Sequence, residues 1–448
     1  MLQYSSRSIA TLFLIQITLS NQYRNFMKYT HSFAFLFLFS LILNKNMYAE
    51  KKATSFASGA DVSWITQMEA AGKKFYTTEG VQTEGMALLK SLGINAIRLR
   101  VWVNPTDGWC NAADLLVKAK RANDLGLRIM VNFHYSDWWA DPGKQNKPAA
   151  WSTMNNANLT IAVGNHTREI LNLLKSNHIA PEWVQVGNET GNGMLWETGK
   201  ASVSMANYAA LNNAGYDAVK EVFPQAKVVV HIHNGYDNGL FRWIFDGLKN
   251  NGGKWDVIGM SLYPYWYRTP NDWQNANRDC LLNMNDMVAR YGKEVMIVEC
   301  GMSWDMAATA KLFLTDIIAK TKSVTGGKGT GVFYWEPQCY GNWQGYSLGA
   351  FDNSGKPTVA MDAFKTPTNL QTPLDNTLEY KIDTLSKTIT FNKKLKRIEI
   401  YDAKGALLSI VQNNNSVSLH QLCKGINILR TIDFEQNELN TIKIANNE

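Results

Sequence analysis

Two glutamates, Glu189 and Glu299, stand where apolar runs stop. The first run, Trp183-Val184-Gln185-Val186, reads as a short buried strand and breaks off in Gly187-Asn188-Glu189. Inside a strand a carboxylate or an amide must recover the hydrogen bonds it had in water. Its place is therefore at the strand's carboxyl end, at a mouth rather than in a core. The second run, Glu294-Val295-Met296-Ile297-Val298-Glu299-Cys300, repeats the arrangement. Paired carboxyls across a cleft are the minimal equipment for cutting a glycosidic bond, one as general acid/base and the other as nucleophile or base. Two acids alone also make ordinary ion-pair partners, so the elements that carry them decide the matter.

From 59 to about 364, short apolar β-branched runs alternate with longer amphipathic stretches rich in Ala, Leu and Lys. The pattern predicts strands over 59–63, 96–103, 128–135, 183–189, 227–233, 257–263, 295–300 and 331–335. It predicts helices over 85–92, 112–125, 159–176, 205–222, 240–249, 280–291 and 307–320. The strands are apolar continuously rather than alternately, as parallel strands buried on both faces are. Eight such alternations fit a (β/α)8 TIM barrel, placed over 55–366, better than an open doubly wound sheet. No glycine-rich phosphate fingerprint follows an early strand, which weakens a dinucleotide-binding reading. In such a barrel the carboxyl ends of the strands face the active site and the amino ends serve stability. That rule puts Glu182, Asp256 and Glu294 at the bottom, and Glu189 and Glu299 at the top of the fourth and seventh strands. Glu336 also follows an apolar run, but it comes directly after Trp335, and alternation turns it away. Asp61 ends the first strand and reads as a ligand or a supporting residue.

After 364 the texture changes. Residues 367–376 form a polar linker containing Pro367 and Pro373. Short runs over 388–391, 397–401, 406–411, 425–431 and 441–444 then read as a small all-β C-terminal module of the sandwich type, over 377–448. The module has no Trp, which argues against a sugar-stacking platform there. At the amino end, apolar runs over 9–19 and 33–43 are each too short for an ordinary membrane span. The second follows Met27-Lys28 and precedes Met47-Tyr48-Ala49, the pattern of a removable signal peptide over 1–49 with its start at Met27. An exported protein is expected, secreted, periplasmic or at the cell surface, with no transmembrane span once mature.

The 448 residues are 45% hydrophobic and 19% charged, values of a globular chain. A net charge of +7 is modest, and its only small cluster, Lys393, Lys394, Lys396 and Arg397, reads as a solvated face rather than a nucleic-acid surface. The five cysteines have no CxxC pair or metal spacing and read as small buried hydrophobes. No metal or other cofactor is expected, and the protein is expected to be a monomer.

Five stretches, taken in order, are similar to glycoside hydrolase family 53, the arabinogalactan endo-β-1,4-galactanases of clan A. They are Gly59-Ala60-Asp61-Val62-Ser63, Arg98-Leu99-Arg100-Val101-Trp102-Val103-Asn104-Pro105, the run from Asn132 to Pro142, Gln185-Val186-Gly187-Asn188-Glu189, and the run from Gly259 to Trp266. The resemblance covers essentially the whole barrel but neither the first ~55 residues nor the β-module. It implies retaining, endo-acting hydrolysis of β-1,4-galactan, the side chain of type I arabinogalactan and pectin, by double displacement. A mannanase or xylanase of the same clan, or a non-catalytic glycan-binding barrel, are the alternatives.

The resemblance further implies Glu189 as acid/base and Glu299 as nucleophile. Asn188 would bind the sugar 2-hydroxyl and Arg98 would keep Glu299 ionised. His134 and His231 would line the pocket, Tyr263 would hydrogen-bond the nucleophile, and Trp335 would form the sugar platform. Trp138, with Trp102, Trp139, Trp266, Trp304 and Trp343, falls in the top-face loops, and about half of these should meet sugar. Several bacterial relatives carry a long Asp- and Asn-rich calcium loop after the nucleophile. Here residues 300–307 offer only Asp305 as a hard carboxylate ligand, so no calcium site is expected there.

Overall fold

The computed structural model describes residues 56–365, 380–383, 386–403, 406–432, 434 and 438–446. The leader over 1–49 and the linker over 367–376 lie outside these residues. The chain divides into two compact units at 366/367. In the first, eight parallel strands close into a barrel: β1 (Ala57–Asp61), β2 (Ala96–Val101), β3 (Arg128–Phe133), β4 (Trp183–Val186), β5 (Lys227–Ile232), β6 (Val257–Leu262), β7 (Glu294–Cys300) and β8 (Gly329–Trp335). Strand β8 pairs with β1, Gly59 facing Phe333 and Asp61 facing Trp335. Helices α1 (Ile65–Ala70), α2 (Gly85–Ser91), α3 (Ala112–Asp124), α4 (Asn156–Ser176), α5 (Met205–Val222), α6 (Asn238–Asn250), α7 (Trp273–Tyr291) and α8 (Ala307–Lys322) surround it. The (β/α)8 barrel is thus present, with strand burial on both faces as the apolar runs required.

Two cores explain the strand sequences. One alternate set of side chains packs outward against the helices. The other, which includes Met130, Trp183, Val229, Met296, Val298 and Phe333, fills the barrel axis below the mouth. At the bottom, Glu182 pairs with Arg128, Glu294 with Lys227 and Asp256 with Lys220, each at 2.7 Å. These acids tie strand and helix ends together, as their positions before the strands implied.

Several boundaries differ from expectation. Strand β4 stops at Val186 rather than at 189, and β2, β3, β5 and β6 also end a residue or two early. Tyr135, Glu189, Asn234 and Glu336, just past the ends of β3, β4, β5 and β8, all have left-handed φ of 47–51°. That conformation is unfavourable for non-glycine residues and incompatible with a ladder, so pairing ends and the side chain is re-aimed. Helix α7 starts seven residues before the expected 280 because Asp272 caps it by accepting from the Asn275 amide. Its first turns are mostly polar, with only Trp273 and Ala276 carrying the apolar face on towards Cys280.

In the second unit, β9 (Tyr380–Asp383), β10 (Thr388–Asp402), β11 (Leu407–Ser418), β12 (Gly425–Ile432) and β13 (Glu438–Asn446) form one antiparallel five-stranded sheet. The expected strands over 388–391 and 397–401 are one continuous strand, so the described residues show a single sheet rather than two separate ones. Strand β10 pairs with β9 through its first half and with β12 through its second. Ile389 and Phe391 from one half and Ile398 and Ile400 from the other reach the same small core, so the sheet curls over its own apolar face. Among the described residues no helix is long and apolar enough to cross a membrane.

Candidate active site

A cleft of about 640 Å³ opens at the carboxyl ends of the strands. Glu189 and Glu299 both line it, and they present carboxylate oxygens within 4.8 Å of each other. Each arrives by a local departure from regular strand. Glu189 follows Gly187 (φ +83°), and the two positive φ values turn the chain across the barrel mouth. On β7, Met296 and Val298 point into the barrel axis, so simple alternation would send Glu299 out towards the helices. The register prevents this: Met260 faces Ile297, but the next residue, Ser261, faces Glu299. The extra residue makes a β-bulge and lets two successive side chains point inward.

The pair is electrically asymmetric. Arg98 is fully buried, and its Nη2 stands 2.7 Å from Glu299 Oε1. Its Nη1 meets Asp61 Oδ2 at 2.6 Å, while Gln185 and Asn188 accept further N–H groups. Tyr263 donates its hydroxyl to Glu299 Oε2 at 3.3 Å. Burial lifts the Glu299 carboxyl above its ordinary range, and Arg98 pulls it back. Burial and the charge of Glu299 push Glu189 up to about 8, against the pull of Ser261 and Arg98. Two carboxylates this close cannot both ionise cheaply, and the fixed guanidinium places the charge on Glu299 and the proton on Glu189.

Asn188 Oδ1 accepts from Arg98 and Asn132, and its Nδ2 donates to the Ala140 carbonyl at 2.9 Å, leaving one N–H for a ligand. Gln145 donates to the Asn188 carbonyl at 2.8 Å and steadies the same turn. His134 lines the cleft. Its Nδ1 accepts from the Ala140 amide at 3.1 Å, and burial with Arg100 and Arg98 nearby keeps the ring neutral. The ring is therefore an Nε2–H donor facing the opening.

Trp335 lies in the floor, its ring 4.6 Å from Tyr346 and 5.2 Å from Trp64. Trp138 stacks on Trp102 at 4.9 Å yet stays 50% exposed, and Tyr265 and Trp266 stand 52% and 56% exposed across the mouth. Behind Trp139 and Trp102 the buried Arg100 guanidinium sits 4.0 and 4.8 Å from the ring centres. This cation–π packing stiffens the aromatic wall.

Three residues of the expected site lie out of a ligand's reach, one of them, Arg98, against Glu299 as expected. Asp61, Arg98 and His231 are fully buried beneath the floor and do not line the cleft. Asp61 braces Arg98 and accepts from Ser63, and its short side chain at a strand end packed by β2 and β8 cannot reach the opening. His231 is held under Glu189 by Ser261 and Gln185. Glu336 is also removed from the chemistry: both its oxygens accept from the Trp64 amide, and Gln338 and Arg100 surround it. Trp304 and Trp343 stand outside the cleft lining, whereas Trp102, Trp138, Trp139 and Trp266 join it. Sequence reasoning gave no role to Ser261, Gln185 or Tyr346. For Ser261 a signal existed, since it alternates with Gly259 on one face of β6 and with Tyr263 just past its end.

Glu189, His231 and Glu299 also come close enough together to be considered as a metal set. Both His231 nitrogens already face protein partners, and Arg98 places a positive charge against Glu299. The set is therefore better suited to moving a proton than to holding a cation. The four described cysteines of the barrel, Cys110, Cys280, Cys300 and Cys339, are free and buried.

A (β/α)8 barrel with two facing carboxyls at the tips of its fourth and seventh strands, one paired to a guanidinium, has the build of a glycoside-hydrolysing enzyme. Residues 57–364 match Glycosyl hydrolase family 53, and the chain belongs to that family. It is 34% identical over 301 residues to a probable arabinogalactan endo-beta-1,4-galactanase A of Neosartorya fischeri, covering 62% of this chain and 83% of that one. It is 31% identical over 340 residues to the arabinogalactan endo-beta-1,4-galactanase of Thermothelomyces thermophilus, covering 68% and 98%. Among solved structures, a fungal beta-1,4-galactanase superposes with a TM-score of 0.64 at 30% identity, over 69% of this chain and 98% of that one. The Ignisphaera aggregans GH53 catalytic domain superposes with 0.64 at 29%, over 70% and 97%.

Proposed function

We propose that the protein is an endo-acting, retaining β-1,4-galactanase that cuts galactan and type I arabinogalactan. The observation that carries the mechanism is the close approach of the Glu189 and Glu299 carboxyls, within 4.8 Å. Retaining glycosidases hold their carboxyls about 5–5.5 Å apart, whereas inverting ones leave room for a water between them. Glu299, ionised beside Arg98, attacks the anomeric carbon while Glu189 delivers its proton to the departing glycosidic oxygen. The ester so formed has no charge, so the repulsion on Glu189 falls. Glu189 then takes a proton from water, which attacks the same carbon and releases Glu299. Asn188 and the His134 Nε2–H are the donors placed for the sugar hydroxyls beside Glu299. Exposed aromatic rings on both sides of an open cleft suit a chain that continues past the cut in both directions. The galactanase names of the relatives support galactan as the substrate.

The test is product release from linear β-1,4-galactan, with β-mannan and xylan alongside, for wild type and Glu299→Ala. Short galacto-oligosaccharides from wild type alone are expected. Cleavage of mannan or xylan instead would overturn the substrate, and no cleavage of any glycan would favour a binding protein. The N-terminal apolar runs support export to the periplasm, surface or medium. The protein is also read as a monomer. A purified mature protein beginning upstream of residue 49, or eluting as a dimer, would contradict these two readings.

A further inference from the structure

Below Glu189 three buried groups form a chain. Ser261 Oγ lies 2.6 Å from Glu189 Oε1 and 2.7 Å from His231 Nε2. The other ring nitrogen, His231 Nδ1, receives the Gln185 side-chain N–H at 2.9 Å and the Glu189 backbone N–H at 3.3 Å. Asn188 Oδ1 is 3.2 Å from Nδ1 but is already engaged by Arg98 and Asn132. With two donors aimed at it, Nδ1 carries the lone pair and Nε2 carries the hydrogen. His231 therefore donates to Ser261 Oγ, and the serine hydroxyl hydrogen is left for Glu189 Oε1. The direction of every bond is fixed by the backbone amide at the far end.

We propose that Ser261, oriented by His231, is a positioning residue for the general acid/base: it reserves Oε1 of Glu189 as an acceptor and so assigns the transferable proton to Oε2. This rests on the reading of Glu189 as acid/base given above. When the proton leaves Oε2 for the glycosidic oxygen, negative charge grows on a carboxylate that already accepts at Oε1, and that hydrogen bond strengthens with the charge. When the deglycosylating water returns a proton, Oε2 is again the vacant oxygen. The other charged or titratable groups around Glu189 are Arg98 from β2, Asp141 from the loop after β3, His231 from β5, Tyr263 just past β6 and Glu299 from β7. All of them remain when Ser261 is changed.

The experiment is the pH profile of kcat/KM on galactan for wild type, Ser261→Ala and Ser261→Thr, with thermal unfolding of each. Ser261→Ala should lower kcat by at least about tenfold, the equivalent of one hydrogen bond to a charged group, with little change in KM. Its basic limb should move to higher pH by about one unit, because a donor favouring the ionised form is gone. Ser261→Thr, which keeps the hydroxyl, should restore both. If Ser261→Ala does not fold, Ser261→Cys, with a weaker donor of similar size, carries the same readout. A basic limb that stays in place while kcat falls, or equal losses in the alanine and threonine variants, would overturn the proposal. A wild type inactive on every β-glycan would instead sink the hydrolase reading on which it rests.

Discussion

One negative charge and one proton are shared between Glu189 and Glu299, and their neighbours decide which residue holds which. Glu299 has the guanidinium of Arg98 at 2.7 Å; Glu189 has burial and the Glu299 charge, which push it up to about 8. Wild-type activity on galactan should therefore persist to near pH 8 and fall above it as Glu189 ionises, in a pH–rate profile of kcat/KM, which reads the free enzyme. The same shift affects stability. The unfolded chain sheds this proton near 4.5 while the folded protein keeps it to about 8, so between these pH values the native state binds more protons and stability declines as pH rises. Glu189→Gln removes the titration. It should abolish hydrolysis yet raise the melting temperature relative to wild type at pH 8, by free energy on the order of 4 kcal/mol, with almost no gain at pH 4.5. Equal gains at both pH values would show that the carboxyl is not held protonated.

Strands deliver these side chains only because two of them deviate. The bulge at Val298/Glu299 turns β7's acid inward, and the left-handed backbone at Glu189 does the same for β4. Such deviations persist only where the surrounding barrel over-determines them. Close packing of the axis supplies that constraint, and β1 shows how little slack it has. A Cβ on Gly59 would stand 2.1 Å from the Phe333 ring, which is itself packed edge-on against Trp183 at 6.1 Å. Gly59→Ala should therefore destabilise the barrel by about 1–3 kcal/mol through overpacking, read as a lower urea midpoint with an unchanged slope. An unchanged midpoint would mean that Phe333 has room to move.

Every residue placed at the site belongs to the first unit, and the family match ends at 364. The last turn of that unit, Val359–Phe364, buries Ala360, Met361 and Phe364 in the barrel's own outer core. The second unit has a separate core of its own. A chain ending after Lys365 should accordingly fold and hydrolyse galactan with kcat/KM within about twofold of the full protein, as a domain with a complete core does. A loss of tenfold or more in steady-state assays would assign the β-sheet unit a part in substrate capture.

The barrel, its eight strands and the two glutamates at its mouth were legible in the sequence, because they follow from local rules. Continuous apolar runs demand burial on both faces, and charged residues must leave the strand at its end. Trp335, Tyr263, His134, Trp138 and Asn188, which line the same cleft, came instead from the resemblance to the family. The tertiary structure decided which polar residues lie beneath the floor. Asp61, Arg98 and His231 have side chains that could serve a ligand equally well, and only the register of β1 with β2 and β8, and of β5 with β6, buries them. It also decided the inward turn of Glu299. A bulge is a property of two strands paired together, so period-two counting along β7 alone gives the opposite face. The Ser261–His231 chain depends likewise on three strands meeting at one height, a distance that no single stretch of sequence encodes.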